Sequence, residues 1–324
     1  MKKLFVLLCS MMLISSVVAA QTSTRTGGGN PYDLVPFPRA GSVWFSTALN
    51  INKKTFEQDG EEDISISSYQ IVPSLTYAFN NRIAINTKIG FIAAGKEMSV
   101  TPPIAKTKVK SGITDPTFGI AFRLLDAARN SKNNLNLNLS LSPSLSKQKF
   151  SEPSENKFRV NSVSGKNVAT ANIAYSKDIS TISIGANLGV TYNGTRKTKY
   201  SYFDELSFVL KTKSSIDFNV GAGIQFKGIE KVALDFGLDY TRYGKLNTKY
   251  EGRILTAQKS FGQLGSRVAG HFNVAKHFIM SLEWQYKFDA KVKGTLYDFS
   301  EDTSDSGKWE QSENFISINA TAVF

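Results

Sequence analysis

Hydropathy that alternates with a period of two, in one stretch after another, restricts this chain more than any other feature. Leu135-Asn136-Leu137-Asn138-Leu139-Ser140-Leu141-Ser142 places leucine on one side of an extended strand and a polar residue on the other. A helix would scatter those leucines around its circumference. The pattern returns in Phe118, Ile120, Phe122 and Leu124, in Ile182, Ile184, Ala186, Leu188, Val190 and Tyr192, and in Ile216, Phe218, Val220, Ala222, Ile224 and Phe226. It continues in Val232, Leu234, Phe236, Leu238 and Tyr240, then in Phe278, Met280, Leu282, Trp284, Tyr286 and Phe288. Weaker forms run over 43–51, 69–79, 83–93, 169–175, 264–274 and 316–324, so the sequence predicts twelve strands.

The connections alternate as well. Short turns are expected at Asn80-Asn81, 126–133, 176–178, 227–231 and 275–277, and the intervening loops run about 10 to 24 residues. Tight turns at one end, long loops at the other, an even strand count and both termini on the tight-turn side describe a transmembrane antiparallel up-and-down β-barrel with periplasmic termini. Several strands keep the alternation for the roughly 10 residues that cross a bilayer at a tilt.

The two faces agree with this. One is nearly pure apolar; its partner carries Asn134, Asn136, Asn138 and Ser140, Asp217, Asn219, Gly221, Gly223 and Gln225, and Ser281, Glu283, Gln285 and Lys287. Strand by strand, a soluble barrel with its faces inverted fits the same alternation. Twelve long strands argue against it, because a soluble barrel so wide needs a very large apolar filling, whereas lipid accepts the apolar face and closure satisfies the backbone. Aromatics gather near strand ends, as interfacial girdles do: Phe79, Tyr175, Phe226, Phe278 and Phe324 on the tight-turn side, Phe91, Tyr192, Tyr240, Trp284 and Tyr286 on the other. Pro73 lies mid-strand without a ladder donor, which predicts a bulge or irregularity there.

Only the first twenty residues depart from this pattern. Lys2 and Lys3 precede an apolar run from Leu4 to Ile14, and Ser15-Ser16-Val17-Val18-Ala19-Ala20 supplies the small residues of a cleavage site, so 1–20 reads as a signal peptide. Cys9 is the single cysteine and lies inside that run, which removes a disulfide scaffold from consideration, and Leu8 before it does not fit a lipoprotein. No later stretch reaches the roughly 20 apolar residues of a spanning helix. Export also makes nucleic acid an unsuitable partner for the formal charge of +12, two of which belong to Lys2 and Lys3. Residues 21–40 form a periplasmic N-terminal segment, either a flexible linker on its glycines and prolines or a small plug folding Tyr32, Leu34, Val35 and Phe37 into the lumen; 41–324 is the barrel.

The closing run Asn314-Phe315-Ile316-Ser317-Ile318-Asn319-Ala320-Thr321-Ala322-Val323-Phe324 resembles the C-terminal assembly signal of bacterial outer-membrane proteins. That resemblance implies that Phe324 and the outward residues before it are read by the barrel-assembly machinery. Ser111-Gly112-Ile113-Thr114-Asp115-Pro116-Thr117-Phe118-Gly119-Ile120-Ala121-Phe122-Arg123-Leu124 resembles the Gly-x-x-Asp strand opening of a transporter family named for the meta-pathway of phenol degradation. It implies a barrel passing small, often hydrophobic compounds. Read from the chain alone, Gly112 and Asp115 also fit a plain turn before a strand.

Charge is uneven over the outer loops. Residues 95–111, 146–167, 193–214 and 244–260 each net +3, while 53–63 and 289–312 each net −3. Closing the barrel sets the two acidic loops side by side against a basic arc, which steers a ligand, binds anionic lipopolysaccharide or simply keeps loops solvated. By parity Lys88, Arg123, Asp217, Asp235, Asp239, Arg267, His271, Glu283 and Lys287 face inward. They either set pore selectivity or pair across neighbouring strands in a narrow barrel. His271, within reach of Ser281 or Glu283, lacks a nucleophile motif, and neither a metal-ligand cluster nor a cofactor signature appears. The expectation is a porin-like channel or transporter of the Gram-negative outer membrane, with no enzyme activity and no cofactor, passing small hydrophobic or charged solutes amid outer-membrane lipid. The alternative is a non-transporting barrel, an adhesin, envelope scaffold or secretion partner working through its loops.

Overall fold

The computed structural model describes Leu34 and residues 37–324 apart from 59–60, 95–96, 100–105, 110, 127–131, 155–156, 161, 203–205, 230, 252, 276 and 299–302. The signal segment, Tyr32 and Val35 lie outside the described residues. In chain order the strands are β1 (Val43–Gln58), β2 (Glu61–Ala78), β3 (Ile83–Lys88), β4 (Phe91–Ala94), β5 (Glu97–Ser99), β6 (Lys106–Val109), β7 (Gly112–Ile113) and β8 (Thr117–Leu125). Next come β9 (Asn133–Ser142), β10 (Gln148–Ser154), β11 (Lys157–Val160), β12 (Val168–Ile179), β13 (Ile182–Asn193), β14 (Arg196–Tyr202) and β15 (Leu206–Thr212). The last are β16 (Ser215–Ile229), β17 (Val232–Tyr243), β18 (Leu246–Tyr250), β19 (Arg253–Gln258), β20 (Phe261–Ala275), β21 (Phe278–Asp298) and β22 (Thr303–Val323).

Taking β3 with β4 and β7 with β8 as single interrupted passes, twelve antiparallel passes close into a barrel, as the alternation predicts. Closure is made by β1 against β22, from Trp44↔Val323 to Gln58↔Trp309. Val43 and Phe324 finish the seam by exchanging two backbone hydrogen bonds of 2.9 and 2.8 Å. The apolar parity points outward, with Leu188, Leu238 and Phe118 each more than half exposed, and Phe79, Tyr175, Phe226, Phe278, Phe324, Phe91, Tyr192, Tyr240 and Trp284 are exposed with them. Inside the tight-turn end, Phe37, Ala78, Ala84 and Ala121 form a small buried cluster.

Turns follow local chemistry. Asn80 accepts Arg82 N at 2.7 Å and Ile83 N at 2.8 Å, an Asx-type reversal. The turn expected at 176–178 lies further along, since β12 runs to Ile179 and Ser180 takes the positive φ of 54°. Polarity at Ser176 mimics a turn but belongs to the inner face, where that side chain is 1% exposed. Pro73 does not disturb the β1–β2 register, which passes straight through Thr47↔Pro73. Its effect is on the opposite edge: the pairing of β2 with β3 stops at Ser74↔Lys88 and resumes with β4 at Ile71↔Phe91. Ile89 N donates to Pro73 O on that edge, so the missing proline donor falls there too.

The long loops are not loops. Hairpins β5–β6, β10–β11, β14–β15 and β18–β19 pair with one another, β5 pairs with the extended upper part of β2 and β19 with that of β21, and the upper parts of β1 and β22 complete the circle. The result is a second closed ring, in the order β1, β2, β5, β6, β11, β10, β14, β15, β18, β19, β21, β22. One hairpin is inverted in it, because β11 lies parallel to β6 and β10 parallel to β14. The links 143–147 and 161–167 that feed this hairpin therefore cross, beside the breaks between β3 and β4 and between β7 and β8. Asp115 clasps the crossing: it is 3% exposed and accepts Leu145 N at 2.7 Å, Ser164 N at 2.7 Å and Ser164 Oγ at 2.5 Å. Ser162 Oγ donates to Ile113 O at 2.7 Å, so close over Gly112 that a Cβ there would stand 2.8 Å from it. The Gly-x-x-Asp run thus has a structural use, and one more demanding than a plain turn.

Candidate functional site

The barrel lumen gathers the inward residues named from sequence, and the structure sorts them. Arg123 on β8 donates from Nη2 to Phe37 O at 2.9 Å, stacks over the Phe37 ring with its Cζ 4.4 Å from the centroid, and pairs through Nη1 with Asp126 at 3.2 Å. Phe37 is 1% and Leu34 5% exposed. Leu34 Cδ1 reaches the inner side of β13, where a Cβ on Gly185 would meet it at 3.4 Å. The described part of the N-terminal segment therefore sits inside the tight-turn end of the barrel.

Four strands contribute a polar row beside it. Gln225 Nε2 donates to Asp235 Oδ1 at 2.6 Å, Asp235 Oδ2 lies 3.3 Å from His271 Nε2, and His271 Nδ1 lies 2.9 Å from Ser281 Oγ. Asp235 and Gln225 are both fully buried. The residue types are those of a nucleophilic triad, but the row runs along the ladder. Ser281 is flanked by His271 and Asn319 in regular antiparallel pairs, so neighbouring amides serve the sheet and none is aimed at a developing oxyanion. Among the described residues, no group of His, Cys, Asp and Glu stands ready for a metal.

Elsewhere the partnering is uneven. Asp217 accepts Asn193 Nδ2 at 2.7 Å and Gly244 N at 2.8 Å, fastening the start of β16 to the end of β17. Asp239 accepts Gln285 Nε2 at 3.1 Å. Lys287 pairs with Glu313 at 2.9 Å and donates to Tyr243 Oη at 3.3 Å, while Asn52 Nδ2 donates to the other Glu313 oxygen at 2.7 Å. Glu313 and the nearby Lys54 are both 5% exposed and escaped the sequence reading. Their signal was available: parity carried upward from Phe315 and down from Asn50 places both inward, but the strands had been ended too early, at 316 and 51.

Two lumen charges are left over. Among the described residues, Arg267 and Glu283 have neither an ion pair nor a side-chain hydrogen bond, and Arg267 Nε is buried without an acceptor. They are diagonal neighbours, Arg267 opposite Gln285 and Glu283 opposite Ala269. Asn138 Oδ1, Asn172 Oδ1 and Asn319 Oδ1, inward on three strands, accept nothing from protein groups. Lys88, inward on β3, opposes Ser74 and Thr117. Among the described residues, most of the inner charges named from sequence therefore have partners on neighbouring elements, and Arg267 and Glu283 stand apart from them.

The charged mouth is arranged differently from the steering picture. The basic hairpins are consecutive in the upper ring and the two acidic segments are adjacent through β1 and β22. Yet Lys197, Lys199 and Lys211 are exposed on the outer side of that ring, while Thr198, Tyr200, Leu210 and Thr212 are buried on its inner side.

Neither a protein-family model nor a curated protein matches the chain. Solved structures do. An outer-membrane channel from Pseudomonas putida F1 superposes with a TM-score of 0.61 at 11% identity, over 90% of this chain and 98% of that one. A FadL homologue from Pseudomonas aeruginosa matches at 0.42 and 10% identity, over 87% and 90% of the two chains. The outer membrane protease OmpT from Escherichia coli matches at 0.34 and 10% identity, over 87% and 96%. The first of these places the fold among outer-membrane barrels.

Proposed function

We propose that this chain is an outer-membrane channel for small solutes, closed at its periplasmic end by its own N-terminal segment. The observation that carries the reading is the lumen itself. Arg267 and Glu283 leave their charges unpaired there, and Asn138, Asn172 and Asn319 leave carbonyl oxygens unused. A merely structural interior would satisfy such groups. Phe37 and Leu34 occupy the tight-turn end by burial against the inner wall, and the polar hold on Phe37 is one ring stack and one hydrogen bond from Arg123, a contact set small enough to release. The described parts of the upper hairpins are paired into a wall, which favours the channel over the non-transporting reading.

The finer assignments rest on resemblance. Ser111–Leu124 favours small hydrophobic compounds among the solutes. The polar row around His271 reads as wall structure, in keeping with a chain that is no enzyme. Phe324, 75% exposed beyond the closing strand, suits recognition by the barrel-assembly machinery, and the apolar run before residue 20 suits cleavage on export. Single-channel recording in planar bilayers tests the central reading. Deleting 21–38 should raise conductance severalfold; a barrel that conducts nothing with or without the segment refutes it.

A further inference from the structure

The upper ring carries its lysines on the wrong side for a channel mouth. Lys197 on β14 stands opposite Lys211 on β15, and Lys211 opposite Lys249 on β18; Lys149 on β10 stands opposite Lys199 on β14. Like charges directly across a sheet repel. Among the described residues, none of Lys197, Lys199, Lys211 and Lys249 has a carboxylate within ion-pair distance. Their outward direction is fixed from behind: Thr212 Oγ1 lies 3.1 Å from Thr248 Oγ1, Arg196 Nη2 donates to Thr212 Oγ1 at 3.2 Å, and Thr198 Oγ1 donates to Gln148 Oε1 at 3.3 Å. This buried polar ladder uses the alternate residues, so the lysines cannot turn inward without a slip of register.

Below them lies the lipid-facing belt. Tyr192 and Ile216, each 47% exposed, belong to the passes that β14 and β15 continue. Lys213 precedes Ile216 by three residues and Lys197 follows Tyr192 by five. At about 3.3 Å per residue and a tilt near 40°, that sets the lysines roughly 8–13 Å above the belt, the level of headgroups rather than of bulk solvent.

We propose that this outer face binds the phosphate groups of the outer leaflet's glycolipid. A solute steered to the pore would meet cations on the inner rim, whereas these point at the lipids around the barrel. Phosphate also relieves the repulsion along the Lys197–Lys211–Lys249 row, which no ion pair among the described residues relieves. The inference is independent of conduction.

The test uses the full-length barrel folded in detergent and bis-phosphorylated lipid A, with retention read by native mass spectrometry. Lipid A is retained by the unaltered protein, and K197Q/K211Q/K249Q weakens it about a hundredfold, at the roughly fivefold expected of each lysine near an anionic surface. K197R/K211R/K249R keeps it. In lipid-free detergent the glutamine variant unfolds no earlier than the parent, since a repulsive row has been removed. Equal retention of dephosphorylated lipid A, displacement by inorganic phosphate at matched phosphate concentration, or undiminished binding by the glutamine variant would each overturn the proposal.

Discussion

Asp115 offers the sharpest test of how the two tiers are joined. Its carboxylate is buried and accepts three hydrogen bonds from the two crossing links, from Leu145 N, Ser164 N and Ser164 Oγ. A hydrogen bond to an ionised group contributes about 1.5–3 kcal/mol, and an abandoned buried donor adds its own desolvation cost. In Asp115→Asn, one oxygen still accepts Leu145 N, but the new amide confronts the Ser164 N–H, donor against donor. The expected cost is about 2–4 kcal/mol. Asp115→Ala strands all three donors and should cost about 4–6 kcal/mol, whereas Ser164→Ala removes only the hydroxyl and should cost about 1 kcal/mol. The folded and unfolded forms of a barrel run differently on a gel without boiling, so the midpoint of thermal or urea unfolding is read from band intensities. Limited proteolysis should show cleavage within 143–147 and 161–167 before the lower barrel opens, because the clasp holds the crossing and not the closure. Unfolding of Asp115→Ala at the parent's midpoint, or a Ser164→Ala loss as large as that of Asp115→Ala, would refute the argument.

Four further outcomes are expected. Phe37→Ala and Arg123→Gln each loosen the segment in the lumen and should increase the open fraction in planar bilayers without altering the closed-barrel mobility. Arg267→Gln should move the reversal potential in a salt gradient toward cation preference and Glu283→Gln toward anion preference, since each leaves the other charge alone; matching shifts of one sign would contradict this. Glu313→Gln strips the counter-charge from Lys287, half-buried, and from Lys54, buried beside it, and should lower stability by about 3–5 kcal/mol, measured by urea titration. Removal of Phe324 deletes both backbone bonds that it exchanges with Val43 and should slow assembly into outer-membrane vesicles, scored as the fraction reaching the fast-migrating form.

The lower barrel was legible because its surroundings differ on the two faces. Lipid outside and polar contents inside force Leu135 to Ser142 into strict alternation, and that alternation alone yields strand number, facing and direction. The upper tier lacked this contrast. In Arg196-Lys197-Thr198-Lys199-Tyr200 both faces are polar, lysines outside and a hydroxyl-rich lining within, so a regular strand reads as a loop. For the same reason β1 and β22 were ended several residues short, which hid Lys54 and Glu313. Among the inner charges, parity found the right face for Asp217, Asp235, Asp239 and His271, but the distance to a partner depends on strand twist and register across the sheet. Arg267 and Glu283 looked no different from them in sequence.

By itself, then, the sequence determined a twelve-pass barrel, its apolar outer surface, its polar lining and the imbalance of charge among its outer segments. These are consequences of solvent on each side of a strand, and period two records solvent directly. Only the tertiary structure decided that the outer connections close into a second ring, that the hairpin β10–β11 enters it inverted, that Asp115 holds the crossing and that Lys197, Lys199 and Lys211 face outward rather than into the pore. Each of these depends on which strands become neighbours in space, and no pattern along one strand encodes its neighbour.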